Sequence, residues 1–290
     1  MIEAYIINLL ILIAIYSVLA VSLNLALGNT GLMNMGHIAF FGIGAYTSAI
    51  LVMSGVPFIL SLIAAGIFSS VFGFILVYST KKLRGDYLAL ATLGFSFVVY
   101  SLMLNWTSLT KGPIGIAGIP KPCFFGLCLN SNLSYCIFVL IVSAISIGLM
   151  YLVTKSDFGR LLSATRDDDI GLRALGKNTF MLKSKAMMIS AFFAGIAGSL
   201  FAHYISYIDP SSFMLTEVIL IFTIVIVGGI ASIKGSVVSA AIIILIPELL
   251  RLLSIPSSIL GPSRQIIYAL ILLVIILLRP KGLFGRIDLE

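Results

Sequence analysis

Residues 155–185 gather seven basic side chains (Lys155, Arg160, Arg166, Arg173, Lys177, Lys183, Lys185) and four acidic ones (Asp157, Asp167, Asp168, Asp169). The chemistry open to this set is ionic pairing, helix capping and charged docking rather than bond making. Thr165 and Asp168 have the spacing of a capping box, and Asp167, Asp168 and Asp169 would oppose the positive end of a helix dipole. Gly176 falls where a left-handed residue would close that helix, with Lys177 beside its carbonyl end. The spacing therefore predicts one short helix over 165–176. Arg166 and Arg173, seven apart, would share a face, and Ile170 and Ala174, four apart, would form a small apolar strip. Two readings stay open: a helix that docks in a groove on a soluble partner, and a solvated connector.

Other reactive side chains are few. His37 stands beside Asn34 in a glycine-rich stretch, either lining a solute path and sensing protons or satisfied by neighbouring backbone. Asn24 lies inside the first apolar run, as polar glue between helices or as part of such a path. Cys123 and Cys128 flank Gly126 in one polar loop, bonded or as two free thiols, whereas Cys136 falls in an apolar run. No Gly-x4-Gly-Lys-[Ser/Thr] loop, His-Glu-x-x-His or Cys-x2-Cys occurs, and with His203 the histidines number 2. The chain carries no enzymatic motif and calls for no cofactor or metal of its own. An ion-coupled carrier would need carboxylates at mid-membrane depth. Asp86 stands at the start of an apolar run, Asp209 in a loop beside Pro210 and Glu217 near the end of a run, and Glu248 lies three residues before Arg251 as a local ion pair.

The elements around these residues are membrane helices. Hydrophobic residues make up 60% of the 290 and charged ones 10%, with mean hydropathy +1.17, which excludes an ordinary soluble domain. The expectation is an all-α polytopic membrane helix bundle, a single domain over 1–290, with spans near 4–27, 33–53, 57–79, 87–105, 133–154, 186–206, 215–233, 237–253 and 264–278. The span at 33–53 is rich enough in glycine to be broken or re-entrant. Gly42–Tyr46 and Gly195–Gly198 offer small faces for close helix approach, and the glycines of 28–44 and 228–235 suggest discontinuous helices. The net charge of +7 reflects membrane orientation, not nucleic-acid binding. Lys81, Lys82 and Arg84, the 155–185 island, Lys234, and Arg279, Lys281 and Arg286 fall on one side of this topology, fourteen of the 18 basic residues. That side is the cytoplasm, placing the N-terminus outside, the C-terminus inside and the lipid bilayer around the bundle.

The run Gly159-Arg-Leu-Leu-Ser-Ala-Thr-Arg-Asp-Asp-Asp-Ile-Gly-Leu-Arg-Ala-Leu-Gly-Lys-Asn178 resembles the cytoplasmic loop of branched-chain amino acid ABC permeases of the LivM type. Residues 185–201, 22–28, 36–46, 83–95 and 278–285 continue the resemblance in order over nearly the whole chain. Two places depart from it: Thr110-Lys111-Gly112 stands where the family has Thr-Gly-Gly before Pro, and the following loop carries the cysteine pair. The resemblance implies a multi-pass permease of a prokaryotic cytoplasmic membrane, importing Leu, Ile and Val, with urea, short amides and other amino acids as the solutes of close relatives. It also implies a second permease subunit, two ATPase subunits that use the ATP, and an extracytoplasmic solute-binding protein. Residues 155–185 become the coupling loop, and Arg166, Asp167, Asp168, Asp169, Arg173 and Gly176 the residues that meet the ATPase.

Overall fold

A computed structural model describes residues 2–124, 127–129, 131–252, 257–279 and 281–285. Its helices, in order, are α1 (Ile2–Thr30), α2 (His37–Met53), α3 (Phe58–Ser79), α4 (Gly85–Asn105), α5 (Thr107–Thr110), α6 (Asn132–Lys155), α7 (Asp157–Asp167), α8 (Asp169–Ala174), α9 (Thr179–Ile205), α10 (Leu215–Gly228), α11 (Ile233–Leu252) and α12 (Ser257–Leu278). Among the described residues six helices are long and apolar enough to cross a membrane: α1, α3, α4, α6, α9 and the stretch Pro210–Gly228 containing α10. His37–Met53, Ile233–Ile246 and Ser263–Leu278 are shorter apolar helices. The architecture is an all-α membrane bundle. Its connections also hold two strand pairs, β1 (Ile116–Ala117) with β4 (Tyr207–Ile208) and β2 (Cys123–Phe124) with β3 (Leu127–Cys128).

α9 is the axle of the bundle, packed by α1, α2 and α3. Backbone contact makes this possible. A Cβ on Gly44 would strike Gly195, and one on Gly198 would strike the Phe41 carbonyl and lie 2.9 Å from the Ala45 nitrogen. The two small faces legible in the sequence are therefore the α2–α9 seam. Hydroxyls tie these helices together: Ser199 Oγ of α9 donates to Ser48 Oγ of α2 across the seam at 2.7 Å, Ser69 Oγ of α3 to the Phe40 carbonyl of α2 at 2.9 Å and Ser190 Oγ of α9 to the Ser22 carbonyl of α1 at 2.6 Å. Ile63, Ile67 and Phe74 of α3, Phe97 of α4 and Ile141 of α6 point outward, as hydrocarbon-facing side chains should.

The 33–53 segment departs from a full span. Residues 33–36 are not helical, and α2 begins only at His37. Backbone polar groups at such a break need protein partners. Thr92 Oγ1 accepts from the Met35 N–H at 3.0 Å, and Asn34 Oδ1 from the Gly36 N–H at 3.2 Å. The chain breaks again between α10 and α11, where Gly229 has φ +103° and Ala231 φ +60°. The last block of the chain closes this second break: the Leu283 and Phe284 N–H groups donate to the Val227 and Gly228 carbonyls at 2.8 and 3.1 Å. Lys111, where the family pattern carries glycine, has φ +63°, a left-handed conformation that costs a non-glycine residue about 1–2 kcal/mol.

Candidate functional site

The predicted helix over 165–176 is two helices. α7 starts at Ser156, whose Oγ accepts from the Gly159 N–H at 3.3 Å, and runs through Thr165 to Asp167. Thr165 is buried, and its hydroxyl donates to the Leu161 carbonyl at 2.7 Å, so it is an interior residue of α7 and not a cap. Asp168 is the cap instead: its Oδ1 accepts from the Ile170 and Gly171 N–H groups at 3.1 and 2.8 Å, starting α8. Gly176, φ +76°, closes α8 in the left-handed conformation expected from the sequence. The Gly176 N–H reaches the Arg173 carbonyl at 2.9 Å and the Lys177 N–H the Leu172 carbonyl at 3.2 Å, the paired bonds of a Schellman end. The last part of the polar island belongs to α9, capped by Asn178, whose Oδ1 accepts from the Met181 N–H at 3.0 Å.

Splitting the helix separates the two arginines expected on one face. Arg166 turns back into the bundle, where Nη1 donates to the Gly28 carbonyl near the end of α1 at 2.7 Å while Nε and Nη2 hold Asp167 at 2.9 and 2.7 Å. Arg173 stays on α8, donating to Thr179 Oγ1 at 2.8 Å and pairing with Asp169 at 2.5 Å. Asp169 is the hub of this region: besides Arg173 it meets Lys183 of α9 at 3.2 Å and Arg84, just before α4, at 3.7 Å. Burial pushes its carboxyl up, but hydrogen bonds from Thr179 and Lys183 and the charges of Lys183 and Arg173 outweigh this and hold it below the usual carboxylate range. Beside the half-exposed Arg173, α8 and its C-cap show apolar side chains to solvent: Ile170 is 68% exposed and Leu175 78% exposed, with Ala174 exposed too. Leu172 on the opposite side is buried.

Behind α7 and α8 lies a cavity of about 210 Å³ between the ends of α1, α3, α4 and α9. Lys81, Arg84, Arg166, Arg173 and Lys183 line it, and among the described residues Asp169 is its carboxylate.

Asn24, Asn34 and His37 are all buried. Asn24 clamps the α10–α11 break: its Nδ2 donates to Ser236 Oγ at 2.7 Å and to the Gly229 carbonyl at 3.1 Å, and its Oδ1 accepts from the Ala231 N–H at 2.8 Å. His37 Nε2 lies 2.8 Å from Ser22 Oγ, and its Nδ1 lies 3.3 Å from Asn34 Nδ2. Since Ser22 donates to the Leu19 carbonyl, these partners suit a neutral ring protonated at Nε2. Glu217, in the first turn of α10, accepts from the Tyr16 hydroxyl at 2.8 Å. The side chains of Glu248 and Arg251, and all of Arg286, lie outside the described residues. Cys123 and Cys128 are register partners across β2 and β3, and Cys123 is disulfide-bonded. His203 had no role in the sequence reading. It joins the loop before α6 to the bundle, with Nδ1 2.7 Å from the Pro120 carbonyl and Nε2 3.0 Å from Ser48 Oγ.

These elements match a known family. Residues 5–278 match the family described as branched-chain amino acid transport system / permease component. The high-affinity branched-chain amino acid transport system permease proteins LivM of Escherichia coli (strain K12) and Salmonella typhimurium are 37% and 36% identical to this chain over 261 residues. Those alignments cover 82% of this chain and 61% of the relatives, so the chain spans about three fifths of their length. The high-affinity branched-chain amino acid transport system permease protein LivH of Salmonella typhimurium is 24% identical over 299 residues, covering 95% of this chain and 92% of the relative. No solved structure matches the chain. A multi-pass bundle whose sequence matches over 5–278 belongs to the permease-component family of branched-chain amino acid transport systems.

Proposed function

We propose that this chain is a permease subunit of an ATP-driven importer of branched-chain amino acids in a prokaryotic cytoplasmic membrane. The family match over residues 5–278 carries the reading. The short capped helix α8, which presents Ile170 and Leu175 to solvent in the loop of 155–185, supports it. In this reading α7 and α8 form the coupling loop of a single permease domain, α8 inserts its apolar face into an ATPase subunit, and Asp168 and Gly176 hold that face in shape. Two ATPase subunits, a second permease subunit of the same family and an extracytoplasmic binding protein complete the importer. ATP is consumed by the ATPase subunits alone. Reconstituted with these partners in liposomes, the complex should take up leucine only when ATP is present on the ATPase side. Uptake that persists without ATP hydrolysis would return the chain to the class of carriers or channels.

The six long helices and three shorter apolar ones support nine crossings with the N-terminus outside and the loop of 155–185 inside, the arrangement that gathers the basic residues in the cytoplasm. Single cysteines replacing Asn132 and Lys177 in a variant without native cysteines should be labelled by an impermeant maleimide from outside and only after lysis, respectively. Labelling of the second from outside would reverse the orientation. On the outer side, the cross-strand placement of Cys123 and Cys128 supports a bond between them. Peptide mapping after alkylation should find both cysteines blocked until reductant is added, and two alkylated thiols in the unreduced protein would remove that bond.

A further inference from the structure

The cavity behind α8 has two unlike walls, and that contrast identifies what fits it. One wall is ionic, with Arg84, Arg173 and Lys183 converging on Asp169. Three cations around one carboxylate leave positive charge uncompensated in a concave space, where low-dielectric walls focus the field. Arg84 is the loosest member, at 3.7 Å with a side chain 66% exposed, and is free to turn its guanidinium to another acceptor. The other wall is apolar and buried and lies one turn further along the same helices, Leu88 four residues after Arg84 and Met187 four after Lys183, with Leu32 also lining it. An inorganic anion would leave that wall unused, and a simple hydrocarbon would leave the cations unanswered.

We propose that this cavity binds a small aliphatic amino acid. Arg84 and Lys183 would take its carboxylate, Asp169 its ammonium group, and Leu32, Leu88 and Met187 its side chain. A guanidinium receives a carboxylate through two parallel hydrogen bonds, and an ammonium group replaces the charge that Arg84 withdraws from Asp169. The choice of an amino acid over another aliphatic carboxylate rests on the transport reading above. The site then lies on the side to which solute is delivered. Its occupant would bridge the turn before α4 to α8 and α9, so accumulated solute would stiffen the loop that meets the ATPase.

Equilibrium dialysis tests this with radiolabelled leucine and the full chain in nanodiscs of phosphatidylcholine. Saturable binding is expected, displaced by excess leucine, more weakly by isovalerate and isoamylamine, and not by inorganic phosphate. Arg84→Gln should weaken binding about tenfold, the loss of one good ionic contact, and Leu88→Trp should abolish it by filling the space. Thermal unfolding of both variants shows whether they are folded. Absence of saturable binding by the folded wild-type chain, full displacement by phosphate, or unchanged binding in both variants overturns the proposal. A complex that imports leucine while the chain fails these tests would leave the transport function standing and remove only this site. Conversely, a chain that binds leucine through Arg84 and Leu88 in a complex that imports nothing would remove the function and keep the site.

Discussion

Gly198→Val should prevent the chain from accumulating as a folded protein, whereas Gly148→Val should be close to neutral. A Cβ at 198 lands on the Phe41 carbonyl, an immovable backbone atom of α2, while one at 148 meets nothing within 4 Å. To accept the larger side chain, α2 must retreat from α9. The retreat stretches the bonds between Ser48, Ser199 and His203 that cross the seam. Overpacking a tight core costs about 1–3 kcal/mol or more, and each interhelical hydrogen bond lost in a membrane adds about 0.6–2 kcal/mol. A combined loss of about 3–5 kcal/mol is a large part of a typical stability of about 5–15 kcal/mol. Fluorescence-detected size exclusion after a heating series reads it directly. Equal midpoints for the two variants would show that the seam is looser than its geometry.

If the chain works as the proposed importer subunit, Ile170→Asp combined with Leu175→Asp should leave the bundle intact and disable import. Both side chains project into solvent, so the isolated chain loses no packing. At a contact with an ATPase subunit the same carboxylates would be buried without partners, at about 3–5 kcal/mol each, which is at least a hundredfold in affinity. ATPase recovered with the permease and leucine uptake, both normalised to permease abundance, should fall together. Reversing Arg173 is a poorer probe, because its guanidinium is tied to Asp169 and Thr179 and its loss would disturb the loop itself. Normal recovery and uptake for the double variant would mean that α8 is a solvated connector.

Much of the bundle was legible because local hydropathy decides it. The runs at 57–79, 87–105 and 133–154 fall within about two residues of α3, α4 and α6. Gly44, Gly195 and Gly198 announced the α2–α9 seam, since only small residues allow such an approach. Local pattern failed where the deciding contact is distant in sequence. Thr165 and Asp168 had the spacing of one capping box with Thr165 at its start, but packing buries Thr165 inside α7 and Asp168 is itself the cap of α8. Arg166 looked like a partner-facing cation, yet it binds the Gly28 carbonyl 138 positions away. Asp169 could be counted as one of three acids, but nothing nearby says that Arg84 and Lys183 converge on it. The start of α2 was misplaced because Met33 and Met35 extend the apolar run only in alternation with Asn34 and Gly36, and the backbone there is satisfied by Thr92 and Asn34 in place of a helical ladder.

The enclosure of α2 by α9 has a consequence for how the chain is made. α2 ends at Met53, and α9 is not complete until Ile205. At roughly 5–20 residues per second, about 8–30 s of synthesis separates the two. During that interval α2 has no counterpart for Gly44, and Ser48 lacks both Ser199 and His203. Its 17 residues reach only about 26 Å, short of the ~30 Å hydrocarbon thickness. It is therefore poorly suited to lodging alone in lipid and would wait against α3, its other packing partner, or within the insertion machinery. Nascent chains that stop before residue 179 should be recognised as unfinished and degraded, whereas chains that stop just after residue 205 should persist. The half-life of such truncations in pulse-chase experiments would thus mark the moment at which the bundle closes.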